Sequence, residues 1–250
     1  MEIIRGLNIE RDSLRSVATV GSYDGLHIGH RELIERVKQE AKRVCGRSMV
    51  ITFDPHPRLA IDPEADIKLL TTTHEKCQLL EEAGIQRLVI IPFDREFSLT
   101  PPREFISSIV KSLNIASLIV GYDHRFGHDK EGDFSSLKQW SEELNLNVIQ
   151  IQEQELDSRH VSSTVIRRLI CNGEMGLANQ MLCHNYILHG DIDDRMNFVP
   201  RSINKLLPKV GVYDIAIEGH KCGVEISNSG KLHIDSNINL NPGEYTLEFI

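Results

Sequence analysis

The first 150 residues alternate between short apolar runs and longer segments with helical periodicity. Five runs are rich in aliphatic and β-branched residues, and they lie at 17–21, 48–53, 87–92, 117–121 and 147–151. Their uniform apolarity predicts strands that are buried on both faces of a sheet. Because strands that alternate with helices need crossover connections, we predict a doubly wound parallel α/β sheet.

Segments between these runs have the spacing of amphipathic helices. They lie at 28–44, 73–83 and 134–144, and a further helix opens at Pro101 and Pro102, where proline fits the first turn. Thr73 is a candidate N-cap. In a sheet of this kind, ligands bind beyond the carboxyl ends of the strands. The residues that directly follow each run are therefore the candidates for a functional site.

The pattern changes after residue 162. Two short helices are predicted at 162–171 and 174–183, and beyond residue 186 apolar and polar residues alternate between Gly, Asn and Pro. This alternation is typical of a small antiparallel sheet or barrel. We therefore predict two domains, an α/β domain at 1–185 and a C-terminal antiparallel β domain at 186–250.

Composition excludes several classes of protein. Of the 250 residues, 40% are hydrophobic and 26% are charged, which is enough for a folded core. The formal net charge of −8 argues against nucleic acid as a partner. No targeting segment and no apolar stretch of membrane-spanning length is visible, so no membrane partner is expected. The five scattered cysteines lack metal-ligand spacing and indicate reduced thiols in a cytoplasmic protein.

The strongest chemical signal follows the first run and reads Gly21-Ser-Tyr-Asp-Gly-Leu-His-Ile-Gly-His30. Gly21 and Gly25 permit a sharp turn of the backbone. His27 and His30 lie three residues apart at the entry to a helix, whose free N–H groups and dipole attract anions. Two imidazoles at such a helix end predict a clamp for a polyphosphate. A zinc site is disfavoured because further ligands at suitable spacing are missing, and no Walker loop occurs.

Three later segments also lie at the ends of predicted elements: 52–57, 121–127 and 162–167. Arg125 and Phe126 suit a phosphate contact and a flat ring surface, and Gly127 suits a close backbone approach. Ser162-Ser163-Thr164 is a helix cap that Arg167, one turn later, converts into a second anion site. Taken singly, these segments are equally compatible with a stiff loop, a surface turn and an ordinary cap.

The segment 21–30 resembles the H-x-G-H signature of the nucleotidyltransferase superfamily. With the three later segments, it resembles the FAD synthetase module of bacterial bifunctional riboflavin kinase/FMN adenylyltransferases over about residues 15–190. The resemblance implies a Rossmann-like fold that uses ATP and FMN as substrates and releases FAD and pyrophosphate. It also implies Mg²⁺ that arrives bound to ATP oxygens, with no dedicated metal cage in the protein.

The resemblance also implies roles for individual residues. His27, His30 and Arg167 are the expected catalytic residues. The expected ATP-binding residues are Gly21, Ser22, Tyr23, Asp24, His27, His30, Ser163, Thr164 and Arg167. The expected FMN-binding residues are Thr52, Pro55, Asp123, Arg125 and Phe126.

The C-terminal part departs from the family pattern. The family's second module is a β-barrel riboflavin kinase with a Gly-Phe-Pro-Thr-Ala-Asn segment near its start. Here the stretch 189–204 retains Phe198 and Pro200 but lacks the Thr-Ala-Asn sequence, and Ile250 comes before the family's remaining strands. We expect a shrunken barrel without riboflavin kinase activity. Such a barrel would serve packing, self-association or binding of a protein partner.

Two other functions remain open. Another adenylyl- or cytidylyltransferase of the same superfamily would share the first motif but leave segments 52–57 and 121–127 unexplained. A non-catalytic flavin or nucleotide sensor would keep the binding residues without turnover. Conversion of FMN separates both alternatives from an FAD synthetase.

Overall fold

The computed structural model describes residues 1–7, 14–62, 64–65, 67–151, 161–235 and 240–250. The chain divides into two compact units. The first holds Met1–Tyr23, Gly29–Asp66 and Leu79–Arg159, and the second holds Asp24–Ile28, Ile67–Gln78 and His160–Ile250. Two short pieces of the N-terminal half therefore belong to the second unit. A functional boundary at residue 185 stays a prediction.

The first unit is built on a six-stranded parallel sheet with the order β1-β4-β3-β2-β5-β6. Its strands are β1 Glu2–Arg5, β2 Ser16–Val20, β3 Arg47–Asp54, β4 Arg87–Pro92, β5 Ile115–Gly121 and β6 Asn147–Ile151. The predicted α/β sheet and its five strands are confirmed. The additional strand β1 pairs with β4 at the sheet edge and is largely exposed, so it lacks the apolar run that marks the others.

Six helices accompany the sheet along the chain: α1 Ile28–Arg43, α2 Pro57–Ile61, α3 Thr73–Glu82, α4 Arg95–Ser98, α5 Pro102–Leu113 and α6 Phe134–Trp140. The four predicted helices are confirmed, but the predicted N-cap Thr73 is wrong, because Thr73 is the first residue of α3 and Thr72 caps the helix. Helices α2 and α4 have only five and four residues, which is too short for a periodic pattern. Helix α5 begins at a proline and ends at Asn114 in the left-handed conformation, φ 49°, as helix termini favour.

Strand order places the first motif at a distinctive point of the sheet. From β2 the chain proceeds to β3 on one side, and it later returns to β5 on the other side of β2. Connections that diverge in this way open a crevice at the carboxyl ends of β2 and β5. Gly21 follows β2 and Gly121 ends β5, so segments 21–30 and 121–127 both begin at this switch point.

The second unit contains a closed antiparallel barrel with the order β10-β11-β8-β7-β12-β9. Helices α7 Ser163–Asn172 and α8 Met175–Leu182 precede the strands β7 Tyr186–Ile192, β8 Asn197–Pro200, β9 Gly211–Ile217, β10 His220–Ile226, β11 Leu232–Ile234 and β12 Gly243–Phe249. Strand β12 closes the barrel because Phe249 pairs with Tyr186 on one side and with Ile215 on the other. The expected shrunken barrel therefore closes with six strands.

Side chains fill the interior of this barrel. Inward-facing residues such as Val224 and Phe249 are fully buried, and Leu70 and Ile166 join the same hydrophobic cluster from outside the strands. A small barrel packed in this way has a solid core instead of a channel. Within the ranges given above, no helix is long and apolar enough to cross a bilayer.

Candidate functional site

The loop after β2 has an unusual backbone. Tyr23, Gly25 and Leu26 have φ values of 49°, 85° and 44°, and this left-handed region is uncommon for residues other than glycine. A Cβ on Gly25 would lie 2.7 Å from Leu70 Cδ1, so only glycine fits. Gly21 has no positive φ, which corrects its predicted role as a turn residue. A Cβ there would lie 3.2 Å from the Tyr23 ring, so close approach explains the glycine.

Tyr23 is a buried residue beneath the loop. Its hydroxyl shares a 2.6 Å hydrogen bond with Thr19 Oγ1 on β2, and its ring centroid lies 5.0 Å from that of His30. Burial raises the pKa of Tyr23 far above its usual value, with the Thr19 hydrogen bond acting in the opposite direction. The phenol therefore stays protonated, and the ring helps to position His30.

Asp24 joins three separate segments of the second unit. Its Oδ1 accepts hydrogen bonds from Thr71 N (2.9 Å) and Thr71 Oγ1 (3.1 Å), and its Oδ2 accepts from Leu70 N (3.2 Å) and from Arg167 Nη2. Only 3% of the Asp24 side chain is exposed. Because four donors occupy the two carboxylate oxygens, Asp24 is suited to hold the loop in place and not to bind a metal ion.

The start of α7 is tied to the same point. Ser162 Oγ accepts a hydrogen bond from Val165 N as an N-cap, and Ser163 Oγ donates to Asp24 O at 3.0 Å. Arg167 pairs with Asp24, and its Nε donates to Lys68 O at 2.7 Å. Thr164 is exposed in the first turn. The structure therefore brings Ser163 and Arg167 to Asp24, while a pyrophosphate contact by Arg167 stays a prediction.

His27 directly precedes α1, and His30 lies in the first turn of that helix. His27 is 9% exposed. Burial lowers the pKa of His27 to about 4, and the charge of Asp24 acts to raise it. His27 is consequently neutral near pH 7, so it offers one N–H donor and one lone pair instead of a positive charge.

Two predicted flavin residues, Thr52 near the end of β3 and Pro55 directly after it, lie in the first unit. Thr52 Oγ1 donates a hydrogen bond to Ser22 O at 3.3 Å, and Pro55 follows Asp54 through a cis peptide bond. This hydrogen bond joins the end of β3 to Ser22, and both residues belong to the first unit. Contact of Thr52 and Pro55 with FMN stays a prediction.

The loop after β5 is packed more tightly than the sequence indicates. Phe126 is buried, exchanges backbone hydrogen bonds with Gly132 and lies 6.5 Å from the Trp140 ring in a T-shaped arrangement. Its ring is therefore part of the core. Exposed Arg125 pairs with Asp133 at 3.3 Å, and Asp123 is exposed. Flavin contacts of Asp123, Arg125 and Phe126 stay predictions.

The loop after β5 also contains Gly127, which was expected to permit a close backbone approach. Its φ is 74°, and a Cβ there would lie 2.6 Å from the backbone of Pro102. The close approach is therefore to the start of α5.

His124 lies in the loop after β5, and the sequence analysis did not single it out. Its ring stacks on Phe126 with centroids 5.6 Å apart, and its buried Nε2 has no hydrogen-bond partner among the residues that the structure describes. Burial lowers the pKa of His124 to about 4, and Asp123 acts in the opposite direction. A histidine beside an aspartate ordinarily indicates a solvated loop, so only the packing reveals this buried imidazole.

We predict that the lowered pKa of His124 makes the folded protein less stable in mild acid. Its folded pKa of about 4 lies below the unfolded value of about 6.5, so the unfolded state binds more protons between these values. The stability that the neutral His124 provides is fully present above about pH 6.5 and is lost as the pH falls towards about 4. Denaturant unfolding should show that His124 lowers the free energy of unfolding by on the order of 1–2 kcal/mol at pH 5 relative to pH 8. His124→Phe should lose less stability over this range, and an unchanged pH dependence would contradict the assignment.

Comparisons with known proteins agree on one family. A family model described as FAD synthetase matches residues 9–165. The bifunctional riboflavin kinase/FMN adenylyltransferase of Listeria monocytogenes is 30% identical over 217 residues, which is 82% of this chain and 69% of that protein. The protein of the same description from Escherichia coli K12 is 30% identical over 231 residues, 88% of this chain and 74% of that protein.

A solved structure shares the fold. The crystal structure of a Streptococcus pneumoniae protein described as a macrolide-efflux protein is similar with a TM-score of 0.81 and 22% identity. The match covers 100% of this chain and 90% of that one. At this identity, the similarity shows the fold alone.

Proposed function

The chain belongs to the FAD synthetase family, and from this premise we propose that it transfers AMP from ATP to FMN, giving FAD and pyrophosphate. It is a nucleotidyltransferase with the first motif at the switch point of its sheet. The observation that carries the proposal is the loop from Gly21 to His27, which ends in a buried neutral imidazole directly before α1. A helix N-terminus with an N–H donor beside it suits a polyphosphate.

The proposed reaction needs no nucleophilic side chain. A phosphate oxygen of FMN attacks the α-phosphorus of ATP in line, the bond to the β-phosphate oxygen breaks, and pyrophosphate leaves. Catalysis then depends on orientation of the substrates and on donors that stabilise the developing charge. We assign His27 and His30 to the triphosphate, because both imidazoles carry an N–H donor and His27 donates without a change of protonation near pH 7.

Mg²⁺ fits this site as an ion that ATP carries. The carboxylate oxygens of Asp24 already accept four hydrogen bonds, so Asp24 is not placed to bind the ion. Bound to the phosphates, Mg²⁺ would neutralise charge and keep several waters.

The remaining residues divide between the two substrates. Gly21, Ser22, Tyr23 and Asp24 shape the adenosine side. Ser163, Thr164 and Arg167 form the second anion site for the leaving pyrophosphate, with Asp24 as the ion-pair partner of Arg167. For FMN we propose residues at the carboxyl ends of β3 and β5 and in the loops that follow, namely Thr52, Pro55, Asp123, Arg125 and Phe126.

We also propose that the chain lacks riboflavin kinase activity. The stretch 189–204 has no Thr-Ala-Asn sequence. In its place Arg201 forms ion pairs with Asp191 (3.0 Å) and Glu244 (2.9 Å), and Phe198 is buried in the barrel. The barrel then serves packing or contact with a partner. FMN would come from another enzyme, within the cytoplasm that the reduced cysteines indicate.

Chromatography of flavins tests both proposals together. Purified protein with Mg²⁺ and ATP should convert FMN to FAD with equimolar release of pyrophosphate, while riboflavin in a parallel tube stays unchanged. FMN that stays unchanged would contradict the transferase and favour a sensor or a related transferase. Formation of FMN from riboflavin would contradict the absence of kinase activity.

A further inference from the structure

A cluster of two histidines and one glutamate lies in the second unit and contains no residue of the motif loop. His74 is in the first turn of α3, His189 is in β7 and Glu244 is in β12. Each offers one ligand atom, and these atoms lie within 4.8 Å of one another. We propose that this cluster, hereafter the His-His-Glu cluster, binds a divalent transition metal, with Zn²⁺ as the best-matched ion.

The ligand types select the class of metal. Two imidazole nitrogens and one carboxylate oxygen suit Zn²⁺ and its transition-metal neighbours, whereas Mg²⁺ and Ca²⁺ prefer oxygen ligands alone. Three protein ligands are also the number found in zinc sites that keep a fourth position open for water. The cluster is therefore chemically distinct from the Mg²⁺ that ATP would carry.

Metal binding requires the His74 ring to rotate out of its stacked position on His189, because the in-plane lone pairs of two stacked imidazoles do not meet at one ion. His189 Nε2 lies 2.7 Å from Glu244 Oε1, and the rings of His74 and His189 are stacked with centroids 4.0 Å apart. Ligand atoms about 2.0–2.2 Å from a tetrahedral ion lie about 3.3 Å from one another. His74 and Glu244 are exposed and can rotate, while His189 is held in a buried position.

Partners around the cluster hold the central imidazole in a ligating orientation. His189 Nδ1 lies 3.2 Å from Thr246 Oγ1, which directs Nε2 towards Glu244. The Thr246 hydroxyl can donate or accept, so it supports the tautomer whose Nε2 lone pair binds the metal. The backbone N of His189 also donates to Glu75 Oε1 at 2.9 Å. These contacts resemble the outer partners that orient histidine ligands in metal sites.

The electrostatic surroundings favour a cation. A surface hollow of about 310 Å³ adjoins the cluster and is lined by His189, Glu218, Glu244, Tyr245, Thr246 and Glu248. Arg201 supplies a positive charge next to the cluster, and it forms ion pairs with both Glu244 and Asp191. Three glutamates around one hollow leave a negative field even with Arg201 present.

No sequence pattern marks this site, because its ligands are far apart along the chain. His74, His189 and Glu244 come from one helix and two strands, so no short spacing marks them. Only the packing of α3's first turn against the barrel brings them together within the second unit.

The inference is tested with tag-free, chelator-treated full-length protein. Calorimetric titration should show one equivalent of Zn²⁺, and Co²⁺ should give the visible absorption of a nitrogen- and oxygen-ligated site. His74→Ala and Glu244→Gln should each weaken Zn²⁺ binding by about tenfold or more. His233→Ala, an exposed histidine on β11, is the matched control and should bind like wild type.

Excess Mg²⁺ should leave Zn²⁺ binding unchanged. Zn²⁺ affinity that is the same in wild type, His74→Ala and Glu244→Gln would overturn the proposal, as would the absence of a stoichiometric site in wild type. Both substituted residues are exposed, and circular dichroism verifies that the variants are folded. Neither outcome depends on FAD formation, so a failure of the metal site can be distinguished from a failure of the proposed function.

Discussion

His27→Ala is expected to lower kcat for FAD formation by about 10²–10³, the usual effect of removing one donor to a developing oxyanion. His27 is a buried neutral imidazole at the start of α1, so its N–H is fixed before the substrate arrives. Steady-state FAD formation at saturating ATP and FMN measures the effect. We expect His30→Ala to lower kcat in the same direction.

Two controls separate catalysis from folding. His27→Asn keeps a polar donor and should recover part of the lost activity, whereas His220→Ala, on the exposed surface of β10, should be as active as wild type. Thermal melting should show that each variant is folded at the assay temperature. Wild-type rates in both His27→Ala and His30→Ala would refute the assignment of the imidazoles to the triphosphate.

Lys205→Met is expected to destabilise the second unit by about 3–5 kcal/mol, because it leaves a buried carboxylate without its counter-ion. Lys205 Nζ lies 2.7 Å from Glu75 Oε2, and the two side chains are 1% and 0% exposed. The same Nζ donates to Leu70 O at 2.5 Å and lies 4.3 Å from the centre of the Tyr186 ring. Urea denaturation measures the change in the free energy of unfolding.

The expected loss of stability is large also because the Glu75 carboxylate makes several other hydrogen bonds. Its Oε2 accepts a hydrogen bond from Thr72 N (2.7 Å), and Thr72 Oγ1 accepts one from Glu75 N (3.2 Å), which is a capping box at the start of α3. Its Oε1 accepts from His189 N. Burial lowers the pKa of Lys205, while Glu75 acts to raise it, so the ammonium depends on its partner to remain charged.

A double-mutant cycle tests the pairing. Lys205→Met combined with Glu75→Gln should be less destabilised than the sum of the single variants, because the double variant leaves no unpaired charge. Lys221→Met, at an exposed position of β10, should have almost no effect. Strictly additive losses, or a loss below about 1 kcal/mol for Lys205→Met, would contradict a buried ion pair.

Long segments with a clear apolar run or period were predictable, whereas the short helices and the barrel strand β7 were not. The strands β2 to β6 and the helix α5 carry runs or stripes that report burial directly. Strand β7 is buried at nearly every position and does not alternate, so the sequence did not mark it as a barrel strand. Helices α2 and α4 are too short to show a period.

The candidate site was predictable only where one local motif specifies it. Gly25 has the positive φ that its place in the motif implied, and Ser162 caps α7 as expected. Thr71, which holds Asp24, lies 47 residues further along the chain. Lys205 lies 130 residues from Glu75. A single sequence contains no signal for such pairings.

The sequence by itself determined the order of the strands and helices and the chemical groups that follow them, because hydrophobic periodicity and turn chemistry act over a few residues. Tertiary structure decided the state of those groups. Packing makes His27 and His124 neutral, engages Asp24 with Arg167, and places Phe126 in a core. Burial and charge pairing depend on residues that are distant along the chain, so these states exist only in the folded protein.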